Sequence, residues 1–309
     1  MVNSQIKTNS LTAWLKAARP KTLTGAAVPI MIGTALALKN EGSQSFQPIA
    51  AMLCFLFAFI MQIDANFIND YFDFKHGNDK ENRLGPLRAC SEGWIAPKSM
   101  KYGIGITTLL ACFIGLPLVY FGGWQMIIVG LLCTIFCFLY TTTLSYMGLG
   151  DVLVLVFFGI VPICVTFYVE LHATTPITLQ VFLMSLACGF LIDTLLLINN
   201  FRDRDNDIAS GKYTLITKVG PTTGLLFYLL AGYIGISLAI TSCIYSTDSL
   251  QKIIPSLLLI TFPYSIFHTL TYMKMKKIWE GKELNIILGE TARNMFIFGL
   301  TTSLAILIL

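Results

Sequence analysis

The chain has 309 residues, of which 55% are hydrophobic and 12% charged, with a net charge of +4 and a mean hydropathy of +0.71. A soluble domain carries charge on about 25% of its residues, so a soluble globular protein is excluded and an all-α polytopic membrane protein is predicted.

A helix needs about 20 apolar residues to cross the hydrocarbon core, with somewhat shorter ones tolerated. Nine stretches qualify, at 22–38, 48–69, 102–121, 124–140, 151–169, 177–199, 222–245, 253–272 and 291–309. They are read as one transmembrane domain over 1–309. Before the first of them, residues 11–21 read as an interfacial helix, with Trp14 at headgroup depth and Arg19 and Lys21 flanking the span. That helix either anchors the surface or touches substrate. The polar start lacks an immediate apolar core and cleavage site, so the first span is expected to be retained. Gly25, Pro29 and Gly33 suit a span packed inside the bundle.

The second span carries Asp64 and Asn66. A carboxyl deep in a membrane helix costs roughly 2.5–3.5 kcal/mol on insertion scales. Asp64 precedes Asp73 much as Asp193, in the sixth span, precedes Asp203. Both either line one polar cavity or are hydrogen-bonded structural groups.

Charge then concentrates in the run Asn66–Arg88, which holds Asp70, Asp73, Asp79 and Glu81 beside Lys75, Lys80, Arg83 and Arg88. Gly77 is expected to end the helix in a left-handed conformation, turning the chain so that Asp79 faces Asp73. The connection to the third span is long, and long ordered loops are usually functional. It is expected to cap a site. Spans three and four read as walls, followed by a polar turn whose Tyr140 and Tyr146 either reach a ligand or belong to an aromatic belt.

The sixth span ends in a second run, Asn199–Lys212, with Arg202, Asp203, Arg204 and Asp207. Setting Asn66-Phe67 over Asn200-Phe201 places Asn69 over Asp203 and Asp73 over Asp207, so each run carries a polar or acidic pair one helical turn apart on one face. Gly211-Lys212 is not a phosphate-binding P-loop, because Asn206 and Tyr213 stand where that motif needs Gly and Ser or Thr. The basic stretch Lys274–Lys282 sets topology, and His76, His172 and His268 are isolated. The eight cysteines are scattered, seven of them inside apolar spans, and read as small hydrophobes.

Cytoplasmic loops carry the excess of Lys and Arg. With the amino terminus cytoplasmic, 19 of the 21 fall on that side, and only Lys39 and Lys252 face out. Both acidic runs are thereby placed at the cytoplasmic face of the cell's inner (plasma) membrane. The net charge follows from topology, and no nucleic-acid partner is expected. Two acidic clusters trailed by Arg and Lys suit a magnesium-bound polyphosphate, because Mg²⁺ takes few carboxylates and fills its shell with water and phosphate oxygens. At a lipid interface, a diphosphate with a hydrocarbon tail is a prenyl diphosphate. A cation-coupled transporter is the rival reading.

The sequences NDYFDFKHGND, RLGPLR, NNFRDRDND and GKYTL, with ARPKTL at 18–23, YT at 140, GLGD at 148 and ETARNMFIFGL at 290–300, resemble the UbiA superfamily of intramembrane aromatic prenyltransferases. Within it the chain is most similar to the 1,4-dihydroxy-2-naphthoate branch of menaquinone and phylloquinone synthesis. The resemblance implies a nine-helix bundle with a cytoplasmic cap, Mg²⁺ as cofactor, and prenyl diphosphate and an aromatic acid as substrates. It also implies a catalytic metal set of Asn69, Asp73 and Asp79 with Asp203 and Asp207, and Asp70 beside the first three. Diphosphate contacts are expected from Arg83, Arg88, Arg202, Lys212 and Tyr140, and acceptor contacts from Arg19, Asn66, Asn199 and Asn200, with Arg88 a second partner for an acceptor carboxylate. There are departures. Asp79 lies six after Asp73 where much of the superfamily spaces these acids by four, and Gly77 stands at that position. Leu144 and Ser145 replace the Lys-Arg of the 4-hydroxybenzoate branch, and the Gly-Pro usual in the naphthoate branch is missing there too. Homogentisate, 4-hydroxybenzoate and a tetrapyrrole remain alternative acceptors.

Overall fold

The computed structural model of the chain describes residues 6–41, 46–77, 83–246 and 249–309. Every regular element among them is a helix. In chain order these are α1 (Leu11–Ala18), α2 (Leu23–Glu41), α3 (Pro48–His76), α4 (Pro97–Gly115), α5 (Leu118–Gly122), α6 (Gln125–Thr142), α7 (Gly150–Val154) and α8 (Val161–Glu170). They continue with α9 (Leu179–Ala209), α10 (Leu215–Val219), α11 (Pro221–Ile244), α12 (Leu250–Ile278) and α13 (Leu284–Ile308). A π-helical turn, Leu155–Ile160, joins α7 to α8 as one continuous span.

Eight of these segments are long and apolar enough to cross a membrane: α1 with α2, α3, α6, α7 with α8, α9, α11, α12 and α13. The third expected span, 102–121, falls on α4 and α5 instead. α4 opens with Pro97, Lys98 and Lys101, which cuts its apolar run short. Exposed Leu109, Phe113, Leu131, Ile254 and Phe262 on the outside of the bundle give it an apolar belt, as lipid contact demands.

α9 is the hub, touching α2, α7, α8, α10, α11 and α13, while α3 gathers α1, α2, α4, α6 and α8. Small residues set the spacing, as they do where lipid supplies no hydrophobic drive between helices. A Cβ on Gly159 would lie 2.5 Å from the Ser185 carbonyl oxygen, so α9 rests directly on the backbone of the π-turn. His268 stacks between Tyr228 and Tyr264 and bonds the Leu229 carbonyl at 3.2 Å, a core histidine.

The connections carrying the two charged runs collect at one end. Asn9 N–H donates to the Trp94 carbonyl, Tyr213 N–H to Tyr146, and the Asn285 amide to Leu84. α3 ends at His76 with Gly77 left-handed (φ 67°), its N–H returning to Asp73 and Phe74, as the sequence implied.

Candidate functional site

The site begins where α3 leaves the bundle. Asn69 accepts a hydrogen bond from Thr141 at the end of α6. One turn on, Asp73 pairs with Arg88. Between them, Asp70 is turned inward and only 1% exposed, with Asp73 at 21%. Its two oxygens accept the backbone N–H groups of Ala89 and Cys90, both at 2.8 Å, and Arg19 lies 3.8 Å away. Asp70 thus holds the 83–96 loop down on α3, which fixes Arg88 over Asp73.

The second run lies at the end of α9. Arg202 grips both oxygens of Asp203, at 2.9 and 2.6 Å, and donates to Asn285 at 2.9 Å. Gly85 lies close to that guanidinium, where a Cβ would come within 2.8 Å of its nitrogen. Asn285 also donates to the Leu84 carbonyl at 2.8 Å. The loop after α3 and the start of α13 thereby cross over the end of α9. Arg83 lies in the same loop, donating to the Pro86 carbonyl at 2.9 Å. Asp207 is 3.4 Å from Lys212 through one oxygen, while its buried Oδ2 has no hydrogen-bond partner among the described residues. Through Asn285, which joins Arg202 to Leu84, and the close approach of Gly85 to the Arg202 guanidinium, the two runs meet.

Beside them, Tyr140, Asp151, Asn200, Lys212 and Thr214 line a small cavity of about 10 Å³. Its wall includes Gly148, left-handed at φ 77°, where a Cβ would collide with the Tyr213 carbonyl at 2.6 Å. Asp151 has a buried Oδ1 without a hydrogen-bond partner among the described residues, as does Asp193, the two acting on one another electrostatically.

Other expected residues are spent on the fold. The Asn66 amide donates to the Ala18 carbonyl at 3.0 Å and to Thr22 at 2.9 Å, stapling the α1–α2 joint to α3. Arg19 is left-handed (φ 49°) at that joint. Asn199 is half-buried on α9. Arg204 bonds the Phe201 and Trp279 carbonyls and lies over both rings. Asp79 lies outside the described residues. A shared cavity for Asp64 and Asp193 is not what forms. Asp64 is fully buried against α4, accepting from Thr107 and Thr108, while Asp193 is buried on α9 within the field of Asp151. Threonine hydroxyls one helix away supply the satisfaction a buried carboxyl requires, a solution the sequence of α3 does not reveal. Asn285 carried no signal in the sequence either, and Thr141 stood in the YT motif without a role. Asp151 stood in the GLGD motif, without a role.

Among the described residues, no three His, Cys, Asp or Glu side chains stand close enough to form a metal cage by themselves. The carboxylates instead hold Arg88, Arg202 and Lys212. The donor set still fits Mg²⁺, which needs only one or two protein carboxylates when phosphate and water complete its shell. The oxygen of Asp207 left without a hydrogen is such a donor.

Residues 26–285 match the model of the UbiA prenyltransferase family. The 1,4-dihydroxy-2-naphthoate octaprenyltransferase of Escherichia coli (strain K12) is 39% identical over 67% of this chain and 68% of its own length. The Haemophilus influenzae protein of the same name is 34% identical over 74% and 75%. A UbiA homolog from Archaeoglobus fulgidus, solved bound to GPP and Mg²⁺, superposes with a TM-score of 0.64 at 15% identity, covering 96% of this chain and all of that one.

Proposed function

The chain belongs to the UbiA prenyltransferase family, and on that premise we propose that it transfers a polyprenyl group from a prenyl diphosphate to 1,4-dihydroxy-2-naphthoate, the prenylation step of menaquinone synthesis. One observation carries the proposal: two acidic runs far apart in sequence converge through Gly85, Arg202 and Asn285, with Asp73, Asp203 and Asp207 each paired with a cation. Asn69, Asp73, Asp203 and Asp207, with Asp79 as the motif implies, would hold Mg²⁺. When bound, the metal supplies Lewis-acid neutralisation of the diphosphate.

Arg88, Arg202 and Lys212 then meet phosphate oxygens in place of the carboxylates that hold them here, and Tyr140 lies beside Lys212 in the adjoining cavity. These cations stabilise charge as it develops on the departing diphosphate. The bond from the allylic carbon to the diphosphate oxygen breaks, with its electron pair leaving on diphosphate. The surrounding bundle excludes water from the allylic cation. The ring carbon bearing the carboxylate attacks it, the new carbon–carbon bond forms, and the bond to the carboxyl group breaks, returning its electrons to the ring as carbon dioxide departs.

Asp70 and Asn66 are assigned positioning roles, since their polar atoms are taken by backbone groups and Thr22. The charged end is assigned to the cytoplasm by its share of the Lys and Arg residues. The test is an assay of the purified protein with a prenyl diphosphate, Mg²⁺ and a panel of aromatic acids. Prenylated product is expected with dihydroxynaphthoate alone, and none after chelation. Equal turnover of 4-hydroxybenzoate or homogentisate would overturn the acceptor assignment.

A further inference from the structure

At the end of the bundle away from the acidic runs, α2, α8, α9 and the segment after α11 line an open cavity of about 230 Å³, room for several waters at about 30 Å³ each. Its wall includes Lys39, Asn40, Phe167, Thr178, Gln180 and Ser246. The Lys39 ammonium nitrogen and the Gln180 amide nitrogen are both buried there, and neither has a hydrogen-bond partner among the described residues. A desolvated ammonium with no counter-charge is costly, and a buried amide without an acceptor adds to that cost.

The start of α9 lies at the same space. Thr178 caps α9, its hydroxyl accepting from Val181 N–H at 3.3 Å, so the first turn of a 31-residue helix opens at the cavity wall. The first N–H groups of a helix have no partner within it and carry the positive end of its dipole. Lys252, whose ammonium bonds the Leu309 carbonyl at 3.0 Å, adds its field to that of Lys39. No acidic side chain lines the cavity among the described residues. A cation, an amide donor and a helix start at one cavity that no described acidic side chain lines define an anion site.

We propose that this cavity binds a phosphate anion, presented in the membrane by the headgroup of an anionic phospholipid. The site lies at the last turn of α2 and the first of α9, where headgroups sit, and the first turn of α9 and the end of α11 carry exposed Leu179, Phe182, Ile244 and Tyr245 for acyl chains to cover. Bound lipid removes the cost of the buried charge and locks the start of the hub helix.

The test is binding to the full-length protein in neutral detergent, read by native mass spectrometry and by Tm, with phosphatidylglycerol, phosphatidylcholine and inorganic phosphate as separate probes. Phosphatidylglycerol is expected to bind and to raise the Tm of the unmodified protein. Lys39→Gln is expected to weaken that binding about tenfold, the size of one lost charge-assisted hydrogen bond, with the rate of prenyl transfer unchanged. Gln180→Leu keeps the cation and should weaken binding severalfold, which carries the test if Lys39→Gln does not fold. Saturation by inorganic phosphate alone keeps the anion site and assigns it to the free ion. Equal retention of phosphatidylglycerol by all three proteins, or of phosphatidylcholine as tightly as phosphatidylglycerol, overturns it.

Discussion

Asp70 and Asp73 are three residues apart in one acidic run and do different work, because α3 turns one toward the loop backbone and the other toward Arg88. Asp73→Ala and Asp207→Ala should each abolish prenyl transfer while the protein still inserts and elutes as a folded species, and retention of most activity in either would sink the metal assignment. Asp70→Ala should behave otherwise. It leaves two buried N–H groups without acceptors, each costing about 1–3 kcal/mol, so Tm falls and the 83–96 loop becomes sensitive to protease along with the loss of activity. Asp64→Asn should keep activity, since its partners are Thr107 and Thr108 on α4 and no substrate-facing group. That Asp64 is a satisfied core carboxyl was one of two readings open in the sequence. The choice between them depended on where α4 packs.

At the scale of the element, the span from Gly150 to Glu170 looks in sequence like any apolar helix, yet it contains a π-turn laid against Gly189 of α9. π-turns are uncommon and arise where the local backbone yields to a neighbour. Gly159→Val should force these helices apart and cost about 1–3 kcal/mol, the usual penalty of overpacking, read as a lower Tm in detergent with the metal-binding residues untouched. The ETARN motif likewise proves to be packing. Thr291 bonds Tyr228 at 2.7 Å, Asn294 donates to Thr271 at 2.9 Å and Glu290 pairs with Lys274, so the motif joins α13 to α11 and α12. By contrast, the end of α3 at Gly77 was legible, because only a residue without a side chain takes that left-handed cap at little cost.

For the whole molecule, the Lys and Arg distribution predicts a defined orientation. In a variant freed of its eight cysteines, Ser210→Cys should label from the cytoplasmic side and Thr175→Cys from the opposite side, and the reverse pattern would invert the assignment. The long spans were visible because a lipid-facing helix must be apolar along its length. The third was the least regular. Pro97, Lys98 and Lys101 start α4 early, and the chain needs α5 to finish what the sequence suggested as one segment.

By itself the sequence determined the class, the family and the two acidic signatures, since apolar length, charge asymmetry and motif spacing are one-dimensional quantities. Tertiary structure decided the division of labour. Hydrogen bonds across large sequence separations, such as Asn285 to Leu84 and Cys90 to Asp70, choose which polar residue anchors a loop and which is left at the site. The unpartnered Lys39 and Gln180 also belong to that second kind of fact. A lysine near the end of an apolar span reads in sequence as a membrane-edge anchor, and only the packing of α8 and α9 against α2 leaves its ammonium without a partner among the described residues, at the wall of a cavity.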